Sequence, residues 1–245
     1  MRKFYTYLFA VIIYLSGTAA FAESYFQMET GTYKPSRMEV QIPAPSNSLF
    51  DIGSITGNKS EYFYRIEGKY QFGNHSITAI YAPLVYENSA ILPSDITFQN
   101  KTFTAGNLTD FSYQFNSYRI GYMYQFYNKG SWTLSTGVTG KIRDAKIEVR
   151  QGSAIKESKS NIGFVPLLDF EAVYKLTEKF RLRFDVDGLG GGPGYAVDAA
   201  LQGFYDISDK FSVLGGYRIL DGGADTETYT FATFHYYNLG LRYKF

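Results

Sequence analysis

Residues 229–245 read YTFATFHYYNLGLRYKF. Counted back from the last residue, Phe245, Tyr243, Leu241, Leu239 and Tyr237 fall on one face of an extended chain. Lys244, Arg242, Gly240 and Asn238 fall on the other. A repeat of two belongs to a strand, whose successive side chains leave opposite sides of the backbone. One face is apolar and ends in aromatics; the other is polar, charged or small. Two settings accept such a strand. In a soluble sandwich or lipocalin-like barrel the apolar face covers a core. In a membrane barrel it meets lipid, and the polar face lines a narrow lumen.

The pattern recurs through the chain. Period-two runs are expected at 24–33, 61–72, 75–87, 112–126, 132–149, 161–176, 180–189, 195–205, 211–220 and 229–245. In the second, Tyr62, Tyr64, Ile66, Tyr70 and Phe72 alternate with Arg65, Glu67 and Lys69. In the seventh, Phe180, Leu182, Phe184 and Val186 alternate with Arg181, Arg183, Asp185 and Asp187. The first run is stopped by Lys34-Pro35, with 37–42 a candidate extension. Pro83 predicts a distorted or terminal position in the third. In the fifth, the alternation slips near Asp144, which predicts a bulge that returns Ile147 and Val149 to the apolar face.

The breaks alternate in character. Those at 73–74, 127–131, 177–179 and 206–210 are short; those at 34–60, 88–110, 150–160, 190–194 and 221–228 are longer or glycine-rich. Short turns at one end and long loops at the other are the topology of a transmembrane antiparallel up-and-down β-barrel. A soluble barrel gives no reason for it. The expectation is an all-β chain of ten strands, or eight if the first run and one other are not strands.

Composition agrees. The 245 residues are 45% hydrophobic and 18% aromatic, with 23 Tyr and 21 Phe. Residues beyond 22 hold no apolar stretch long enough for a membrane helix, so the aromatic excess suits the girdles of a barrel. The formal charge of +1 argues against nucleic acid as a partner. The absence of cysteine excludes disulfides and thiolate metal sites. Arg2 and Lys3, an apolar run at 7–15, and the small residues Ala20 and Ala22 match a secretory signal cleaved after Ala22. The domains expected are therefore a signal peptide at 1–22 and a barrel at 23–245.

The faces fix what such a barrel encloses. Arg65, Lys69, Arg119, Lys141, Arg143, Arg181, Arg183, Arg218, Arg242 and Lys244 lie on the inward side with Glu67, Asp169, Glu171, Asp185, Asp187 and Asp198. An Arg or Lys on the lipid side near the midplane would cost roughly 2–4 kcal/mol, which sets the register. Eight to ten strands enclose a space that side chains largely fill. The expected lumen is plugged or very narrow, with a modest excess of positive charge. Its charges serve as a polar core or, alternatively, as a narrow passage or binding site for a small anionic or polar solute. Arg181, Arg183, Arg218 and Arg242 are candidates to cluster.

Catalytic and metal chemistry find little support. His235, near the outer rim, has no serine near it in sequence; Asp221 and Asp225 are its candidate carboxylates for a rim hydrolase, and a girdle histidine is the plainer reading. Asp185-Val186-Asp187-Gly188 lacks the further acidic ligands of a calcium loop. No catalytic residue, metal or cofactor is expected.

The whole mature chain resembles the small outer-membrane β-barrel proteins of Gram-negative bacteria, the group that includes the OmpA transmembrane domain and OmpW. FNSYRIGYMYQFY, GKIRDAKIEV, DGLGGGPGYAVDAAL, GYRILDGGAD and FHYYNLGLRYKF are similar to an uncharacterised proteobacterial family of such barrels. The resemblance implies outer-membrane lipid as surroundings and both barrel termini in the periplasm. It also implies that Tyr243 and the terminal Phe245 form a signal read by the barrel-assembly machinery. It carries no activity.

Overall fold

The computed structural model describes residues 24–153 and 155–245. The expected signal peptide and its Ala20 and Ala22 lie outside them. In chain order come β1 (Tyr25–Gln41), β2 (Phe50–Asp51), α1 (Ile52–Thr56), β3 (Glu61–Phe72), β4 (His75–Ala82) and β5 (Val85–Ile91). Then follow β6 (Ile96–Phe98), β7 (Lys101–Phe103), β8 (Leu108–Lys129), β9 (Trp132–Gln151) and β10 (Ile155–Lys175). The last are β11 (Phe180–Gly191), β12 (Gly194–Asp206), β13 (Phe211–Asp225) and β14 (Tyr229–Lys244).

From β8 to β14 each strand pairs antiparallel with the next, and β1 pairs with both β14 and β3. β4 and β5 lie in one register against β8, with Ala82 opposite Ser117 and Val85 opposite Gln114. They form a single wall strand interrupted at Pro83. The result is a closed antiparallel barrel of ten strands. Gly31 sits on the closing seam, where an added Cβ would lie 2.0 Å from the Tyr237 carbonyl oxygen. Only glycine lets β1 seat that closely on β14.

The two faces are inverted relative to a water-soluble barrel. Ile120, Leu239 and Phe164 point outward and are 63%, 70% and 71% exposed. Arg65, Glu67, Arg119 and Lys141 point inward and are buried. A continuous apolar exterior of this extent belongs in contact with lipid, and charges inside pair with one another.

Three expectations need correction. β1 does not stop at Lys34-Pro35. It continues to Gln41, with a register shift between Pro35 and Arg37. Proline offers no N–H to the ladder, so the irregularity falls there and the strand resumes beyond it. Below the shift Tyr25, Gln27, Glu29 and Tyr33 point inward; above it Met38 and Val40 do. Second, β9 shows no slip at Asp144. Its pairing with β8 and β10 runs through that point unbroken, and Ile147 and Val149 are buried inside. Third, the loops placed at 88–110 and 150–160 are largely strand, because β5, β8, β9 and β10 rise past the membrane belt.

What marks that passage is the outward charge on these strands. Lys146 and Lys156 both bind Glu148 at 2.8 Å, and Arg150 binds Asp110 at 2.9 Å. The two lysines hold the Glu148 carboxyl below the usual carboxylate range. Above the belt the exterior meets water, so the soluble rule returns and the apolar residues turn inward.

They form a cap. Phe111, Ile147, Val149, Phe234 and Tyr33 from the wall pack with Ile42, Phe50 and Ile52, and with Leu92, Ile96, Phe98 and Phe103 of the next loop. Phe50 meets Phe98 edge-on at 6.3 Å. The Asn47 side chain donates to the carbonyls of Ile42 (2.6 Å) and Gln99 (2.8 Å), tying the two loops together. Asp51 caps α1 by accepting from the Ser54 N–H at 2.7 Å, and the Thr56 hydroxyl lies 2.6 Å from that of Tyr86. Thus α1 packs on β1 and β5, beyond the point where the β3–β4 ladder ends at Ile66 opposite Tyr81.

Candidate functional site

Below the cap the lumen is crossed by ion pairs. Asp198 on β12 is held between three guanidinium groups. Arg218 Nη1 lies at 2.5 Å, Arg119 Nη2 at 2.7 Å and Arg65 Nη1 at 3.6 Å. Arg119 also reaches Asp187 at 2.6 Å. β8 and β3 stand across the barrel from β12, so the Arg119 and Arg65 pairs span its axis, while Arg218 reaches Asp198 from the neighbouring β13. The arrangement follows from the pleat: every second residue of a strand points inward, and the interior of a ten-stranded barrel is narrow enough for arginines to meet carboxylates across it.

Nearer the short-turn end, Arg183 contacts Glu171 at 2.6 Å, Asp185 at 3.0 Å and Glu67 at 3.3 Å. Lys69 reaches Glu171 at 3.0 Å, and the Tyr25 hydroxyl donates to Glu67 at 2.5 Å. Arg242 stacks on Tyr25 and Phe204, its guanidinium carbon 3.7 Å and 4.2 Å from their ring centres, and donates to Gln27 at 2.8 Å. At the rim Arg181 and Lys244 share Asp206 at 2.9 Å and 3.1 Å. Arg181, Arg183 and Arg242 therefore line one vestibule of about 380 Å³. Arg218 lies deeper, on Asp198, and does not join them.

Two anions were missed from sequence. Glu29 is fully buried; it accepts from Asn238 at 2.5 Å and Gln202 at 3.0 Å, with Arg65 and Arg218 at 3.8 Å and 3.9 Å. Asp206 is the other. The signal for Glu29 was present, since Tyr25, Gln27 and Glu29 alternate with Phe26 and Met28. With both included, the expected positive excess shrinks. Arg143 leaves the network as well: it faces inward but binds Asn161 at 2.5 Å, toward the long-loop end. Asp169 accepts from the Thr139 hydroxyl at 2.7 Å. Lys141 makes no salt bridge among the described residues; its Nζ sits 4.8 Å over the Phe115 ring.

Asp185 and Asp187 face these arginines, and no cluster of three potential metal ligands occurs among the described residues. His235 faces outward at the upper edge of the apolar belt. The bulge in β1 brings it a serine that chain position concealed: His235 Nε2 lies 2.9 Å from the Ser36 hydroxyl. Its Nδ1 lies 2.5 Å from the Tyr217 hydroxyl. A Ser–His pair is part of an acyl-transfer constellation, which also calls for a group to orient the ring and donors for an oxyanion. The expected carboxylate Asp221 is engaged elsewhere, with Arg37 at 3.1 Å and with Thr233.

No family model matches the chain, and no curated protein matches it. Solved structures do. The outer-membrane protease OmpT from Escherichia coli is 10% identical with a TM-score of 0.55, covering 94% of this chain and 99% of that one. Neisserial surface protein A is 13% identical with a TM-score of 0.38, over 91% and 97%. Ail, the attachment invasion locus protein of Yersinia pestis, is 12% identical with a TM-score of 0.38, over 91% and 100%. The likeness to OmpT carries the fold alone: this chain has the architecture of Gram-negative outer-membrane barrels.

Proposed function

We propose that this chain is an integral barrel of a Gram-negative outer membrane whose axis is closed, and that it serves as a structural or interaction protein of that membrane. The carrying observation is the stacking of two unlike plugs: a layer of ion pairs across the lumen beneath an apolar cap built from the loops. In this reading the short turns, the start of β1 and the end of β14 face the periplasm. The capped end faces outward and offers its charged strand extensions to partners. Tyr243 and Phe245 end the strand recognised during barrel assembly. The chain is not an enzyme in this reading; His235, Ser36 and Tyr217 form an interfacial polar cluster beside the aromatic girdle.

The experiment is single-channel recording of the refolded barrel in a planar bilayer under a salt gradient. A silent membrane containing heat-modifiable, folded protein is the expected result. A second reading is favoured by the vestibule, where Arg183 Nη1 and Arg242 Nη2 are buried without a hydrogen-bond partner. Cations so placed suit a small anionic solute. Discrete anion-selective openings would overturn the closed axis in favour of that reading.

A further inference from the structure

The wall is not equally sealed around its circumference. β9 and β10 stay paired up to Gln151 and Ile155, but the β10–β11 ladder ends with Leu168 opposite Gly188. The β11–β12 hairpin turns back early, at Gly191 and Gly194, while β13 and β14 continue to Asp225 and Tyr229. Residues 156–167 of β10 therefore pair on one side only among the described residues. Pro166, which has no N–H to offer a neighbour, lies at the foot of this notch. The gap at Pro83 opens on a cavity of only about 30 Å³; this one leads into a cavity of about 490 Å³. That volume is within the range of small-molecule sites, about 300–1,000 Å³.

The cavity lies inside the wall between the ion-pair layer and the cap. Val165, Leu189, Leu220 and Phe234 make it apolar, and Lys141 and Arg143 stand on its β9 side. Lys141 is 2% exposed. Arg119 holds Asp187 and Asp198 through their Oδ2 atoms, no salt bridge reaches the Lys141 ammonium among the described residues, and its contact is the Phe115 ring. The Arg143 Nε is buried and unpartnered. A buried ammonium at the edge of an apolar chamber lacks an anion, and the chamber opens sideways toward the lipid-facing surface.

We propose that this cavity binds a long-chain fatty acid, entering through the notch between β10 and β11 and pairing its carboxylate with Lys141. A single chain is required by depth. Lys141 lies level with the lipid-facing Ile120 and Ile142, below the charged strand extensions, so its partner must leave the polar interface, which a two-chain phospholipid head does not do. The proposal takes from the preceding reading only the lipid around the wall and does not depend on whether the axis conducts.

The test is titration of the folded full-length barrel, in zwitterionic micelles, with carboxyl-labelled palmitate followed by NMR. One saturable, shifted carboxyl resonance is expected. Lys141→Met should weaken binding about tenfold or more, the loss of one charge-assisted contact, and palmitate methyl ester should bind as poorly. Ala196→Phe, which fills the chamber, should remove the resonance, while both variants keep the heat-dependent gel shift of the folded barrel. Partition into micelles without saturation, equal binding by Lys141→Met or by the ester, or displacement of palmitate by phosphatidylglycerol would each overturn the proposal. None of these outcomes bears on the bilayer recording, so the two readings fail separately.

Discussion

Asp198→Ala is expected to destabilise the folded barrel by about 3–5 kcal/mol, the cost of leaving a buried pair half broken. The carboxylate is 4% exposed and is held by Arg218, Arg119 and Arg65 at 2.5, 2.7 and 3.6 Å. Removing it takes the shared anion from three buried guanidinium groups, leaving Arg119 to Asp187 and Arg65 and Arg218 to Glu29 at 3.8 and 3.9 Å. The intact pairs need not contribute that much, because bringing each charge out of water cost nearly what its partner returned. The measurement is urea unfolding in lipid vesicles, followed by gel mobility. Asp110→Ala, which breaks the exposed pair with Arg150, is the control and should cost about 0–1 kcal/mol. Equal effects would mean that the lumen is hydrated and its charges are screened.

Leu239→Arg should prevent stable insertion, at a cost of about 2–4 kcal/mol. Leu239 lies midway along the outward face of β14, between His235 and Tyr243, and is 70% exposed. The same cation one face away is tolerated: Arg242 rests between the Tyr25 and Phe204 rings. Arg242→Ala should lose that stacking and the bond to Gln27, yet still fold. Heat-modifiable mobility after refolding separates the two. Similar failure of both would place β14 in the opposite orientation.

What the sequence made legible was whatever the lipid belt constrains. Within the belt the charged residues face in and the exterior is apolar, so Tyr62 against Arg65, Phe184 against Arg183 and Leu241 against Arg242 could be assigned by counting. Legibility failed where the surroundings change. Beyond the belt the outside is water, and Ile147 and Val149 point inward for the same reason that leucines enter any core. Read with the membrane rule, they imitate a bulge at Asp144. The true bulge, at Pro35, reads as a strand end because proline interrupts a ladder in either case. The face of a lumen residue follows from its parity in the strand, but its partner does not, since pairing across the axis depends on strand positions that no local pattern carries. For the same reason Ser36 could not be linked to His235, nor Lys141 to a cavity.

The irregularity in β1 has a consequence for how the gene tolerates change. Pro35 stands opposite Phe234 and Arg37 opposite Thr233, so Ser36 is the one residue of that strand without a place in the ladder. A deletion elsewhere in β1 turns over the residues between it and the bulge, so that one at Gly31 would send Tyr33 toward lipid. Deletion of Ser36 should instead close the ladder into an unbroken alternation with every remaining side chain on its present face. A scan of single-residue deletions along β1, scored by gel mobility, should therefore show its survivors gathered at the bulge. The bulge is where this strand can change length with the fewest side chains changing sides.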